Sequence, residues 1–466
     1  MDTHGFSELQ AGTLLASLRG GRQGRVLRLL GAGGQGAVYE IELDGAAFAL
    51  KWYHEHYTRI DRNLRHRLDR AVERGAPAAS FLWPLDLVEI AGRPEFGYIM
   101  PLRQPHYRGM RDLIARPPQR VDLSLEQRLR LCARLAKSFL ELHASGFCYQ
   151  DINFGNIFLD PETVRILICD NDNVNIDGAD ASIYGTRKFM APEVVRREVL
   201  PSTRTDLFSM AVLFFYVLIG WHPLDGRREA AIRVLDAAAE MSLYGTEPRF
   251  LFDPLDDSNG PVAGLHEPLV RRWQSLPSAT RRLFIRSFGE GARDPERRVL
   301  EHEWIAAFAT AGSSVFACGH CGYEHTLERD AAAAGHCLYC AAELALPPLL
   351  AIGRHAFAAT RGRDLFAYVI EGSRLPDFDR VAATVETHPT RDDIVGLRNR
   401  TDRPWQATQP NGQATPVPAG KAVRLEPGLT LNFGNTIGRV IDPRTLPSAR
   451  DDSQDMTARG IHDANA

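Results

Sequence analysis

Between Phe147 and Leu159 the chain reads FCYQDINFGNIFL. A carboxylate, Asp151, is followed five residues later by an amide, Asn156, and apolar residues flank the pair on both sides. Flanks of this kind anchor a short loop between two small strands, so the fold must hold both polar side chains in place. A fixed carboxylate can orient a hydroxyl nucleophile and accept its proton, while a nearby amide oxygen can ligate a divalent cation. Taken alone, the stretch reads equally well as a turn, because Asp and Asn are common turn residues. The segments on either side decide between the two.

Upstream, a strand from about Gly24 (VLRLL) leads into Gly31-Ala32-Gly33-Gly34-Gln35-Gly36-Ala37-Val38-Tyr39. A second strand follows, and after Asp44-Gly45 a third ends Phe48-Ala49-Leu50-Lys51. Glycines at the first, third and sixth positions of the loop let backbone amides approach phosphates closely. A lone GxGxxG is also a flexible hairpin or a dinucleotide fingerprint, but the fingerprint needs a helix directly after the loop. Here the loop lies between strands and a lysine closes the next one, which favours a phosphate-covering hairpin with Lys51 as a point charge.

A helical stretch then runs through Arg74, followed by expected strands at Phe81-Leu82-Trp83-Pro84-Leu85 and Gly97-Tyr98-Ile99-Met100. Glu73, with Asp69 second, is the helix carboxylate expected to pair with Lys51. From Leu123, LSLEQRLRLCARLAKSFLELHASG repeats apolar residues at helical spacing and delivers the chain to Asp151. Beyond the loop, Val164 to Cys169 reads as a strand, and Asp170 just past its end can face a metal held by Asn156. Gly185-Thr186, Met190-Ala191-Pro192-Glu193, an apolar helix from Phe208 to Gly220 opened by Asp206, and Arg293 to Arg298 complete the series.

This ordered set resembles the eukaryotic-like (Hanks-type) protein kinase family over roughly residues 24 to 312. The resemblance rests on GAGGQGAVY, FALK, LHASGFCYQDINFGN, CDND, GTRKFMAPE, DLFSMAV and ARDPERR. It implies a bilobal kinase fold that uses ATP and magnesium to phosphorylate a protein partner or itself. Gly31, Ala32, Gly33, Gly34 and Gly36 would cover the phosphates, Lys51 would contact them, and Glu73 would be its partner. Val38 and Ala49 would line the adenine pocket, with Met100 at its back. Asp151 would be the catalytic carboxylate, Asn156 and Asp170 would hold magnesium, Glu193 would pair with Arg298, and Asp206 would brace the catalytic loop. Thr186 leans towards Ser/Thr specificity.

The chain departs from the family pattern at several positions. Tyr149-Gln150 stands where the family has His-Arg, which removes the usual receiver for a phosphorylated activation loop and implies activity without that switch. Asn153 replaces a lysine that would help neutralise the transferring group. Asp170-Asn171-Asp172 stands where Asp-Phe-Gly is expected; Asp172 reads as a turn residue, or as a further metal contact. The competing reading is a nucleotide-binding pseudokinase acting as a scaffold.

A second signal follows. Cys318-Gly-His-Cys321 and Cys337-Leu-Tyr-Cys340 are separated by fifteen residues, a spacing that suits one tetrahedral zinc held by four thiolates. His320, His325 and His336 read as bystanders. Four cysteines close the site, so the zinc is structural and the ribbon depends on it to fold. A ribbon directly after a kinase domain resembles a group of bacterial kinases that carry this module.

The remaining expectations concern organisation and partners. With 466 residues the chain accommodates roughly three domains at about 100–200 residues each. The fold class expected is multidomain α+β, in the order tail (1–23), kinase N-lobe (24–104), C-lobe (105–312), zinc ribbon (313–345), small all-β sandwich-like domain (349–446) and disordered tail (447–466). Within the β domain, Phe366 to Ile370, Ile394 to Leu397, Val423 to Leu425, Leu429 to Leu431 and Ile437 to Ile441 read as strands. LEPGLTLNFGNTIGRVI resembles forkhead-associated modules, without the Ser-Arg-x-x-His and Asn signatures that read phosphothreonine. The 55 basic and 58 acidic residues leave a formal charge of −3, which gives no electrostatic reason to expect nucleic acid as a partner. No leader or membrane segment is evident, and seven cysteines in this pattern indicate a reducing, cytoplasmic setting.

Overall fold

The computed structural model describes residues 8–177, 184–327, 335–388 and 390–442. The expected tail from 447 therefore lies outside the described residues. Two compact units result, and they cut across the expected lobes. The first collects the described residues of Met1–Asp122, Arg134–Gly260 and Ile285–Glu301; the second collects those of Leu123–Ala133, Pro261–Phe284 and His302–Ala466.

In the first unit, β1 (Leu14–Ser17), β2 (Gln23–Ala32), β3 (Gly36–Leu43), β4 (Ala46–Tyr53), β5 (Asp86–Glu89) and β6 (Phe96–Pro101) close a barrel in the order β1-β2-β3-β4-β6-β5. Residues 1–23 were expected to be a tail, yet β1 bonds both β2 and β5. Leu15 is buried and Leu14 exposed, the alternation of a strand with one face in a core. Asp44-Gly45 turns β3 into β4 with positive φ at both residues, 51° and 80°, which matches the twist of a tight hairpin. The barrel is filled by Val26, Tyr39, Ile41, Leu50, Trp52 and Ile99.

Two helices follow β4: α1 (Glu55–Ile60) and α2 (Leu64–Arg74), the latter burying Leu64, Leu68 and Ala71 along one side. The strand expected over Phe81 to Leu85 is not formed. Phe81 makes only an isolated bridge to Ile168, Pro84 brings no N–H to a ladder, and pairing begins at Asp86.

The stretch around Asp151 is set by short strands: β7 (Arg108–Gly109), β8 (Phe147–Cys148), β9 (Ile157–Leu159), β10 (Ile166–Ile168) and β11 (Asn175–Ile176). β8 pairs with β11, and β9 lies between β10 and β7, so the expected loop between two small strands is present. α3 (Leu125–Ala144) leads into it, and the residues of α3 in this unit bury Leu135, Ala136, Phe139 and Leu142 at three- and four-residue spacing. Beyond α4 (Pro192–Val195) comes α5 (Thr203–Ile219). Its start is fixed by reciprocal bonds between Ser202 and Thr205, and it ends at Gly220 with φ 80°. α5 is apolar on all sides because it is buried on all sides, as read from sequence. Among the described residues no helix is long and apolar enough to cross a membrane.

In the second unit, β12 (Val315–Ala317) and β13 (Glu324–Thr326) form a hairpin. Two sheets follow. One has six strands in the order β15-β14-β23-β22-β19-β20, from β14 (Leu349–Ile352), β15 (His355–Ala358), β19 (Trp405–Thr408), β20 (Ala414–Val417), β22 (Thr430–Asn432) and β23 (Ile437–Ile441). The other has four in the order β16-β17-β18-β21, from β16 (Asp364–Phe366), β17 (Val381–His388), β18 (Arg391–Asn399) and β21 (Ala422–Arg424). Only Phe366 of the expected strand Phe366 to Ile370 is in β16; Ala367–Glu371 is a helical turn ended by Gly372 at φ 71°. All of these apolar residues are buried, and a short run with no polar face carries no periodicity to separate strand from helix.

Candidate active site

β2 and β3 bring the glycine loop over the end of β4. Gly33 N–H donates to the Gly36 carbonyl at 2.8 Å, closing the turn. Gly36 is required by packing, since a Cβ there would lie 2.2 Å from the Trp52 carbonyl, whereas Gly31 and Gly34 border open space. Val38 lies opposite Lys51 and Ala49 opposite Met100 in the ladders, and Val38, Ala49 and Met100 share one apolar cluster. The three expected pocket-lining residues are thus brought together.

Lys51 is buried, and its ammonium donates to Gln35 Oε1 at 2.9 Å and to both oxygens of Asp172 at 3.0 and 2.8 Å. Asp170 Oδ1 lies 3.5 Å away. Burial works against the ammonium, but the charges of Asp172 and Asp170 outweigh it and hold the lysine at a pKa of about 12. The expected pairing with Glu73 is not made. Glu73 bonds Arg19 at 2.9 Å and is largely exposed, while Asp69, the second candidate, also faces Arg19. The side of α2 turned into the core presents Leu64, Leu68 and Ala71, and position 73 falls off that side.

Asp170, with φ 53°, begins a tight turn over Asn171–Asn173. Asn171 anchors the turn by donating to the carbonyls of Leu82 at 2.8 Å and Ile168 at 3.0 Å. The Asp170 side chain is 42% exposed and that of Asp172 is wholly buried, so two carboxylates in one turn receive opposite environments. Asp172 also accepts from Tyr53 Oη at 2.7 Å and Tyr98 Oη at 3.4 Å.

On the other side, Cys169 N–H donates to the Asn156 carbonyl at 2.9 Å. The Asn156 amide nitrogen donates to the Asp151 carbonyl at 2.9 Å and to Asp151 Oδ2 at 3.3 Å, which leaves the amide oxygen as a ligand for a cation. Thr186 Oγ1 donates to Asp151 Oδ1 at 2.8 Å. Asn153 accepts from Gly155 N–H at 2.6 Å and donates to the Asp151 carbonyl at 3.1 Å, so it shapes the loop from within.

The loop is braced from below. Asp206 accepts the backbone N–H groups of Tyr149 at 2.5 Å and Gln150 at 3.0 Å, as its expected role requires. His143 bridges Asp206, at 3.2 Å, and Glu301. Burial would lower the His143 pKa, but its two carboxylate partners outweigh burial and raise it to about 9. Arg298 donates to Glu193 at 2.8 Å, the expected pair. Sequence reading missed Gln35, His143 and the role of Asp172; for Asp172 the available signal was the absence of any acid among the core-facing residues of α2.

In the second unit the sulfurs of Cys318, Cys321, Cys337 and Cys340 lie within 4.8 Å of one another. Cys318 to Cys340 is 3.8 Å and Cys321 to Cys337 is 3.6 Å. Four sulfurs about 2.3 Å from a tetrahedral zinc stand about 3.8 Å apart, so the cluster fits that ion. His325 Nε2 is 3.4 Å from Cys337 Sγ, a partner of the cysteine cluster rather than a member of it.

Residues 104–273 match the protein kinase domain family. The chain is similar to the probable serine/threonine-protein kinase gdt4 of Dictyostelium discoideum, at 26% identity over 50% of this chain and 14% of that protein. It is also similar to the serine/threonine-protein kinase SCH9 of Candida albicans, at 33% identity over 20% of this chain and 12% of that protein. Ribosomal protein S6 kinase alpha-2 of Homo sapiens is 33% identical over 28% of this chain and 19% of that protein. The chain thus spans under a fifth of the length of each of these relatives. Together the matches support a protein kinase domain within this chain.

Proposed function

We propose that the chain is an ATP- and magnesium-dependent protein kinase that transfers the γ-phosphate to a Ser or Thr hydroxyl of a protein. The observation that carries this reading is a continuous line of contacts: Lys51 to Asp170, Cys169 beside it to Asn156, Asn156 to Asp151, and Asp151 to Thr186. Lys51, kept charged, supplies a fixed cation for phosphate oxygens below the glycine loop. Asp151 Oδ1, now accepting from Thr186, is the atom that would accept a substrate hydroxyl and its proton. Asn156 and the part-exposed Asp170 offer oxygens to a divalent cation. Magnesium, when bound, neutralises charge on the phosphates. With Asn153 turned into the loop, the neutralisation left to the protein falls on Lys51.

The four cysteines would hold one structural zinc. The ribbon and the two β sheets would serve protein recruitment, in line with the likeness of the last strands to forkhead-associated modules.

The test is transfer from labelled ATP with magnesium to the protein itself or a generic protein substrate, beside Asp151→Asn. Transfer by the wild type that is lost in Asp151→Asn, with nucleotide affinity retained, is expected. Nucleotide binding without transfer, after supply of candidate substrates, would leave a scaffold as the better reading.

A further inference from the structure

Resting on the kinase reading, we infer that Asp172 is the positioning residue for Lys51, doing from the turn after β10 what a carboxylate of α2 was expected to do. A buried ammonium requires a counter-charge with good geometry, since a charge left unpaired away from water is strongly unfavourable. Asp172 meets that requirement with both oxygens, and among the described residues no other carboxylate does so: Asp170 approaches with one oxygen only, at 3.5 Å, and its side chain is part-exposed. Tyr53 and Tyr98 donate to the same carboxylate, which fixes its rotamer from within the barrel. α2 cannot compete. Its buried side is apolar, Leu68 packs in the same cluster as Tyr53 and Tyr98, and Glu73 is taken by Arg19.

The turn itself is built for the task. Asn171 ties it to the backbone on two sides, so Asp170 and Asp172 are presented from one rigid support, one to the open site and one to Lys51. The lysine and the cation-facing carboxylate therefore share a single frame. Alignment of Lys51 does not wait on the placement of α2, and a shift of that helix has no ionic contact with the lysine to break.

The experiment is a double-mutant cycle on the full chain with Asp172→Asn, Lys51→Met and the pair, measuring kcat, KM for ATP, and magnesium-free affinity for a fluorescent ADP. Asp172→Asn is expected to lower kcat about 100-fold, the scale of a small misplacement of a reacting group. In the Lys51→Met background the same change is expected to cost under about threefold, because Asp172 acts through Lys51. The double variant removes both buried charges, so it remains a folded reference if Asp172→Asn alone is too unstable to assay. Glu73→Gln is expected to stay within about twofold of wild type. Additive losses in the cycle, or a collapse of kcat in Glu73→Gln, would overturn the inference. Wild-type ADP binding without transfer would sink the kinase reading alone, because the cycle in ADP affinity still tests the coupling; absence of ADP binding would sink both.

Discussion

At the scale of single residues, Lys51 and His143 show how neighbouring carboxylates keep a buried group charged. His143 carries this furthest from the chemistry. It is buried, it bridges Asp206 and Glu301, and Asp206 in turn holds the backbone of Tyr149 and Gln150. Its folded pKa of about 9 lies above the ordinary value of 6.5, so the charged form stabilises the fold. That contribution is complete below about pH 6.5 and is lost as pH rises through about 9, amounting to roughly 3 kcal/mol for a shift of this size. The urea midpoint of the wild type should therefore fall between pH 7 and 10 by more than that of His143→Gln. Parallel decline of the two proteins would show that His143 is not the group responsible. The same logic separates what could be read in advance from what could not. That Asp151, Asn156 and Asp170 come close together was legible because each lies in a short motif whose neighbours fix the loop. The partner of Lys51 was harder to read, because a helix carboxylate and a turn carboxylate are equally available in the sequence, and the signal that chooses between them is the lack of an acid on the core-facing side of α2.

At the scale of elements, the barrel shows how a strand escapes notice. The sequence near Leu14 has no long alternation, and four residues are too few for periodicity to register. In the fold those residues join β2 to β5 and remove two open sheet edges. The two faces of β1 should then respond oppositely to truncation. Leu15→Ala removes a side chain that is 3% exposed and should destabilise the protein by about 2–5 kcal/mol, the range for core leucines. Leu14→Ala removes one that is 74% exposed and should change stability by under about 0.5 kcal/mol. Chemical denaturation of both variants decides the matter; equal effects would mean that β1 does not seat Leu15 in the barrel. By contrast α5 was read correctly from its unbroken apolar run, since a helix buried on all sides needs no amphipathic pattern.

At the scale of the whole molecule, the second unit poses a question of cooperativity. Cys318 and Cys337 belong to the same buried cluster as Phe316, Leu327, Leu344, Leu349 and Ala358, so the candidate metal ligands and the first strands of the six-stranded sheet share a core. The hairpin is also tied within the unit by Thr326 Oγ1, which donates to the Ser275 carbonyl at 2.7 Å, and by Tyr323 Oη, which accepts from Ser275 Oγ at 3.1 Å. Arg363 adds bonds to the carbonyls of Gly312 and Val315. A structural zinc binds zinc-finger peptides with about 10–16 kcal/mol, more than so short a hairpin can gain from its own apolar contacts. Zinc removal should therefore not be a local event. A chelator that strips one zinc per chain should raise amide exchange in β12, β13, β14 and β15 together, while β3 and β4 of the barrel keep their protection. Cys321→Ser should reproduce that pattern without chelator. Exchange confined to 315–344 after zinc loss would mean that the shared core holds without the metal, and that the ribbon is an appendage to the sheet rather than part of its foundation.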